Sequence, residues 1–259
     1  MMKTHHYILM LLCWLLPLHL RAQAAAHASG WFEVDGNLTG KDGQQIILAR
    51  DFYGDNIALA KDTVRNGHFH FKVPVQQLAI VYVVITENRM VNSHTLIMEP
   101  AHITYALGPT GIPIIRGGKY NPLLLAYESN PAFIAADKAL KAEQQAPPNA
   151  ADTLRQWRLL QRFLEKDSIR TRSQLAIMRG SDPAAAVMAA ILLELQPDRE
   201  QAMAVVNKYA PRLGDSSYII RHARRLNAAQ EKMIAARLGN MVGQGMYDFT
   251  APGLHKDSL

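Results

Sequence analysis

The feature that most constrains this chain is a switch in hydrophobic period at Gly117-Gly118. Before it, apolar and β-branched residues alternate in short runs; after it, they recur at three- and four-residue steps. A period of two belongs to strands with one buried face, and a period near 3.6 to amphipathic helices, so the two parts call for different architectures. The expected fold class is β + α, an N-terminal antiparallel β-sandwich over 30–118 followed by an all-helical domain over 119–239. The chain has 259 residues, 49% of them apolar, enough for two domains with separate cores.

Eight runs predict strands, at 31–38, 44–49, 57–64, 68–73, 79–86, 94–98, 102–107 and 112–115. Asp42-Gly43 and Asn66-Gly67 fall between runs, where a tight turn needs positive φ, and predict two hairpins. In the second, Phe69, Phe71 and Val73 point to the core while His68, His70 and Lys72 point away from it.

The helical part reads in three stages. An early stretch ends at Pro147-Pro148, and a long helix follows, capped by Asp152, with Leu154, Trp157, Leu160, Leu164, Thr171, Leu175 and Met178 at helical spacing up to Gly180. That apolar stripe needs a partner. Asp182-Pro183 opens a helix whose body, 184–195, is apolar nearly all round and is expected at the centre of the helical packing. Helices over 197–209 and 216–238 complete the set, the last broken near Asn227 and ended by Gly239.

Residues 1–23 carry Lys3, an apolar stretch from Tyr7 to Leu20, and the small residues of Ala22 to Ala26, the pattern of a secretory signal peptide rather than of a membrane span. Export and cleavage are expected, with no transmembrane segment afterwards. Cys13 is the only cysteine, so the mature chain has no thiol and no disulfide. Losing Lys3 and Arg21 lowers the formal charge from +6 to +4, and the remaining bases are interspersed with acids, so nucleic acid is not an implied partner.

Trp31 to Gly36, Asp62 to Phe71, Glu99 to Thr104 and Gly117 to Asn121 resemble, in order, the landmarks of a bacterial envelope domain of unknown function. In Gram-negative bacteria that domain precedes a helical segment and then a thioredoxin-like thiol-disulfide oxidoreductase domain of the TlpA/ResA type. The tail at 240–259 resembles the opening strand of such a domain, but no counterpart of its Cys-x-x-Cys pair is present. The resemblance implies a periplasmic or outer-envelope location and a non-catalytic interaction or accessory module with a protein or envelope partner. The alternative is a truncated oxidoreductase whose catalytic half is lost or encoded separately.

Residue by residue, the chemistry is sparse. His68 and His70 share a strand face and would be metal ligands if His94 or His102 supplied a third; a solvated hairpin face needs no metal, so none is assigned. Arg155, Arg158, Arg162, Lys166 and Arg170 share a helix face that either meets an acidic partner or anionic lipid, or is simply solvated. Asp62 and Glu99 suit turns and strand ends better than acid/base work. Trp31, Tyr53, Tyr82 and Tyr105 are the aromatic candidates for a sugar or peptide site. Gly243-Gln244-Gly245 lacks the third glycine of a dinucleotide loop, and no phosphate loop, zinc helix or nucleophile elbow is present, so no cofactor and no catalytic residue are assigned.

Overall fold

The computed structural model describes residues 29–50, 57–87, 90–147 and 152–241. Residues 1–23, expected to be a signal peptide, with Cys13, and also Tyr53 and the tail beyond Met241, lie outside them. Strands come first: β1 (Gly30–Asn37), β2 (Gln45–Arg50), β3 (Ile57–Thr63), β4 (His68–Val75), β5 (Ala79–Glu87), β6 (Met90–Met98), β7 (Ala101–Leu107) and β8 (Pro113–Arg116). Helices follow: α1 (Tyr120–Leu124), a 3₁₀ turn (Ala126–Ser129), α2 (Pro131–Gln145), α3 (Arg155–Met178), α4 (Pro183–Leu192), α5 (Arg199–Leu213) and α6 (Tyr218–Met241).

The strands form two four-stranded sheets, β4-β1-β7-β8 and β3-β2-β5-β6. Their facing sides meet in a core that includes Phe32, Val34, Phe71, Ile103, Leu48, Val83 and Leu96, each worth about 1.5–3 kcal/mol of burial. Strand β4 shows why: its burial alternates residue by residue, with Phe69, Phe71, Val73 and Val75 inward and His68, His70 and Lys72 outward.

Two details depart from the sequence expectation. The first sheet is mixed, because β1 pairs with β7 in parallel while every other pairing is antiparallel. The two glycine turns form, but neither joins strands of one sheet: β1 and β2 lie in opposite sheets, and so do β3 and β4. Asn66-Gly67 reverses the chain through the isolated Arg65–His68 bridge, with φ of 50° and 77°. The turns then brace each other, Leu38 N donating to Gly67 O at 2.6 Å and Gly67 N to Asp42 Oδ1 at 3.1 Å. Turn chemistry dictates the reversal; burial of apolar residues on both arms decides which sheet each arm joins.

The junction between strands and helices is a capped joint. The Glu99 carboxylate, 5% exposed, accepts the backbone amides of Lys119 and Tyr120 at 2.8 Å each. Asn121 continues the bracing by bonding the amide and carbonyl of Ile97, both at 2.8 Å. Gly117 and Gly118 are required here. Their φ values are 95° and 71°, and an added Cβ would stand 2.2 Å from the His102 carbonyl oxygen or 2.4 Å from Glu99 Oε1.

Helix α4 is the centre of the helical part, buried from Ala184 to Ile191 and packed against α3, α5 and α6. Asp182 caps it, accepting from Ala184 N and Ala185 N at 3.0 Å each. Other ends differ from expectation. Asp152 does not cap α3; Leu154 holds that position without a side-chain bond, and Asp152 pairs with Arg158. Helix α6 runs unbroken past Asn227 and through Gly239, because a lone Asn or Gly is tolerated inside a helix.

The helices contact β5 and β6, and the second sheet's outer face, with Ile80, Val84 and Ile97, is buried. The first sheet's outer face remains exposed. Among the described residues, no helix is long and apolar enough to cross a membrane.

Candidate functional site

Two surfaces of the structure carry chemistry that the fold leaves exposed. One is the outer face of the first sheet. The register sets Asp35 opposite His70, while His102 on β7 lies opposite Glu33. Asp35 therefore sits between two imidazoles, 2.8 Å from His70 Nδ1 and 2.6 Å from His102 Nε2. The hydrogen bonds from His70, then from His102, hold the Asp35 carboxyl below its ordinary range. Glu33 lies 3.6 Å from His70 Nε2 and 3.5 Å from Lys72 Nζ, and that lysine stands over the Trp31 ring.

This arrangement joins two imidazoles through one carboxylate. His70 and His102 lie on the two strands flanking β1, and each takes one oxygen of the Asp35 carboxylate between them. Among the described residues, no group of three or more His, Asp, Glu or Cys is placed to hold a metal. His68 and His70 instead rim a shallow hollow of about 480 Å³ with Asp35 and Asp62. Asp62 accepts from Thr63 N and His70 N, at 2.7 and 2.8 Å, and so fixes the turn.

His94 is on the other sheet and faces inward, bonded through Nδ1 to the Tyr105 hydroxyl. Burial drives the His94 imidazole down to about 4 and raises the Tyr105 hydroxyl. This pair is core structure. Of the three described aromatic candidates only Trp31 is strongly exposed, at 55%; Tyr82 packs against the core and Tyr105 belongs to it. These three do not converge on one site.

The second surface is the N-terminal half of α3. At 100° per residue, Leu154, Trp157, Leu160, Phe163 and Leu164 occupy one side of the helix and Arg158, Arg162, Lys166 and Arg170 the other. A surface helix normally turns the apolar side inward. Here the inward side is the basic one: Arg158 pairs with Glu143 of α2 at 3.0 Å, and Lys166 with Asp137 of α2 at 2.5 Å. The other bases are also engaged, Arg162 with Glu165, Arg170 with Asp167, and Arg155 with the carbonyls of Gln144 and Ala146. Arg155, Arg158 and Lys166 of the stripe thus clamp α3 to α2, while Arg162 and Arg170 pair within α3 and Arg162 stays half exposed, as a solvated face would.

The apolar side is left bare. Leu154, Trp157, Leu160, Phe163 and Leu164 are 62%, 58%, 46%, 53% and 54% exposed. Further along the same helix the apolar side turns inward: Met178 is 3% exposed, Leu175 packs on the core, and Gln174 donates to the Leu124 carbonyl. Five large apolar side chains within eleven residues form a continuous exposed patch, the mark of a docking surface.

No protein-family model matches the chain, and no curated protein matches it. The site must be read from its own geometry. Sequence reasoning missed Asp35, because which strands flank β1 is a matter of register, and it missed Phe163, which lies one step off the stripe of Leu160 and Leu164.

Proposed function

We propose that the chain is a non-catalytic interaction module of the cell envelope, a β-sandwich and a helical domain that dock a partner protein through the bare half of α3. The observation that carries this reading is the exposure of Leu154, Trp157, Leu160, Phe163 and Leu164 on one side of a helix whose opposite side is clamped to α2. An amphipathic helix or an apolar groove on the partner is the matching shape. A protein fits this face better than an anionic membrane, because the bases beside the stripe already hold internal acids and offer little to lipid phosphates.

The non-catalytic part rests on sulfur. The only cysteine lies in the expected signal peptide, so thiol exchange would belong to the partner, and the envelope-domain resemblance points to a thioredoxin-like oxidoreductase as its class. Export, the periplasmic location and that partner class follow from the same resemblance and from residues 1–23.

The test is cross-linking in cells that export the chain. A photoreactive residue in place of Leu160 is expected to give an adduct to another envelope protein, and the purified partner to bind the wild type and not the Trp157→Ser, Leu164→Ser variant. Adducts to lipid alone, or equal binding by the variant, would overturn the docking reading. Reduction of insulin disulfides by the purified mature chain would overturn the non-catalytic one.

A further inference from the structure

A cavity lies at one end of the facing sheets, where the start of α6 closes over it. It has a volume of about 490 Å³ and is lined by Arg50 from β2, Gln76 and Gln77 from the β4–β5 connection, Tyr218 and Arg221 from α6, and an apolar floor that includes Leu59, Val73 and Met98. That size and mixture, an apolar wall with a few converging polar groups, is the make-up of a small-molecule site.

Two of the polar groups are guanidinium cations. Arg50 holds its guanidinium 5.2 Å from the centroid of the Tyr218 ring. Its Nε is buried without a hydrogen-bond partner, a costly state for a charged donor unless something accepts from it. Among the described residues neither Arg50 nor Arg221 is in an ion pair. Arg221 follows Tyr218 by three positions, so both point from the same side of α6. The first turn of that 24-residue helix adds its partial positive charge. Gln77 fixes the position of the turn by accepting from Tyr218 N at 2.6 Å. Beside Tyr218 in the chain, the Ser217 hydroxyl is also buried without a partner.

We infer that this cavity binds a small organic anion, with its carboxylate or phosphate held by Arg50 and Arg221 and its apolar body against Leu59, Val73 and Met98. Planar guanidinium groups suit either head, since both accept two parallel N–H bonds. The site is separate from α3 and goes beyond the docking function; it needs no protein partner to be occupied.

Calorimetric titration of the full chain at low salt tests it, with octanoate, octyl phosphate, inorganic phosphate and octanol as probes. Saturable binding of octanoate or octyl phosphate at one site is expected, and the tighter of the two identifies the head group. Octanol, which lacks the charge, and inorganic phosphate, which lacks the tail, are expected to bind at least tenfold more weakly. Arg50→Gln and Arg221→Gln are each expected to weaken the octyl anion at least tenfold, while Arg212→Gln on α5 leaves it unchanged. Arg221 is exposed, so its variant serves if Arg50→Gln lowers the melting temperature. No heat from either octyl anion, equal binding of octanol, or full affinity in Arg221→Gln would overturn the site.

Discussion

The two halves of α3 carry similar apolar stripes and meet opposite fates. From Thr171 to Met178 the stripe enters the core beside α4, and Gln174 ties it to Leu124. From Leu154 to Leu164 it faces solvent, because α2 lies along the other side of the helix and holds it by charge. Amphipathicity therefore specifies that a side must be covered, and leaves open whether the cover comes from the same chain. In the first half, electrostatic pairing to α2 decided the orientation; in the second, burial did.

That contrast breaks most sharply at the clamp. Asp137 is 2% exposed between Lys141 and Lys166, at 2.8 and 2.5 Å. Burial opposes its ionisation, but the two lysines outweigh burial and hold its carboxyl below the ordinary range. Asp137→Ala leaves two partly solvated ammonium groups beside an emptied site and is expected to cost about 2–4 kcal/mol in denaturant unfolding. A loss below ~1 kcal/mol would mean that α2 is not held by this charge.

The buried end of the stripe follows at the same size. Met178→Ala is expected to cost about 2–4 kcal/mol by the same measurement, the range for deleting a buried side chain and leaving a cavity. The bare end should behave oppositely: Trp157→Ser is expected to stay within about 0.5 kcal/mol of the wild type. Comparable losses at both positions would erase the distinction between the two halves.

Between these lies a pH effect in the strand region, where no such division exists. The His94 imidazole falls from 6.5 to about 4 on burial, so the fold favours its neutral form. Its contribution is fully present above about pH 6.5 and is lost as the pH falls through 4, an effect on the order of 1–3 kcal/mol. His94→Gln, which can still bond the Tyr105 hydroxyl, is expected to flatten stability between pH 6.5 and 4. An unchanged acid limb would show that another group sets it.

Much of the strand architecture was legible because period two is a local signal; all eight strands fall where alternation placed them, and β4 buries the three residues named for it. What local signals could not carry was the assignment of strands to sheets. Asp42-Gly43 and Asn66-Gly67 turn the chain as expected, yet the parallel β1–β7 pair and the crossing of both turns between sheets depend on contacts far apart in sequence. The same limit hid Asp35 between His70 and His102. The buried body of α4 was legible from its composition alone. The bare face of α3 was half legible: its apolar residues were plain, but only the position of α2 reveals that they face outward.

If the bare face of α3 is where a partner sits, contact must be confined to it. Position-resolved cross-linking along α3, with a photoreactive residue placed in turn at Trp157, Leu160 and Leu164, and at the exposed positions Ser168 and Arg172 further along the helix, tests it directly. One partner adduct is expected at the first three positions and none at the last two. Equal yields at all five, or adducts confined to Ser168 and Arg172, would contradict it.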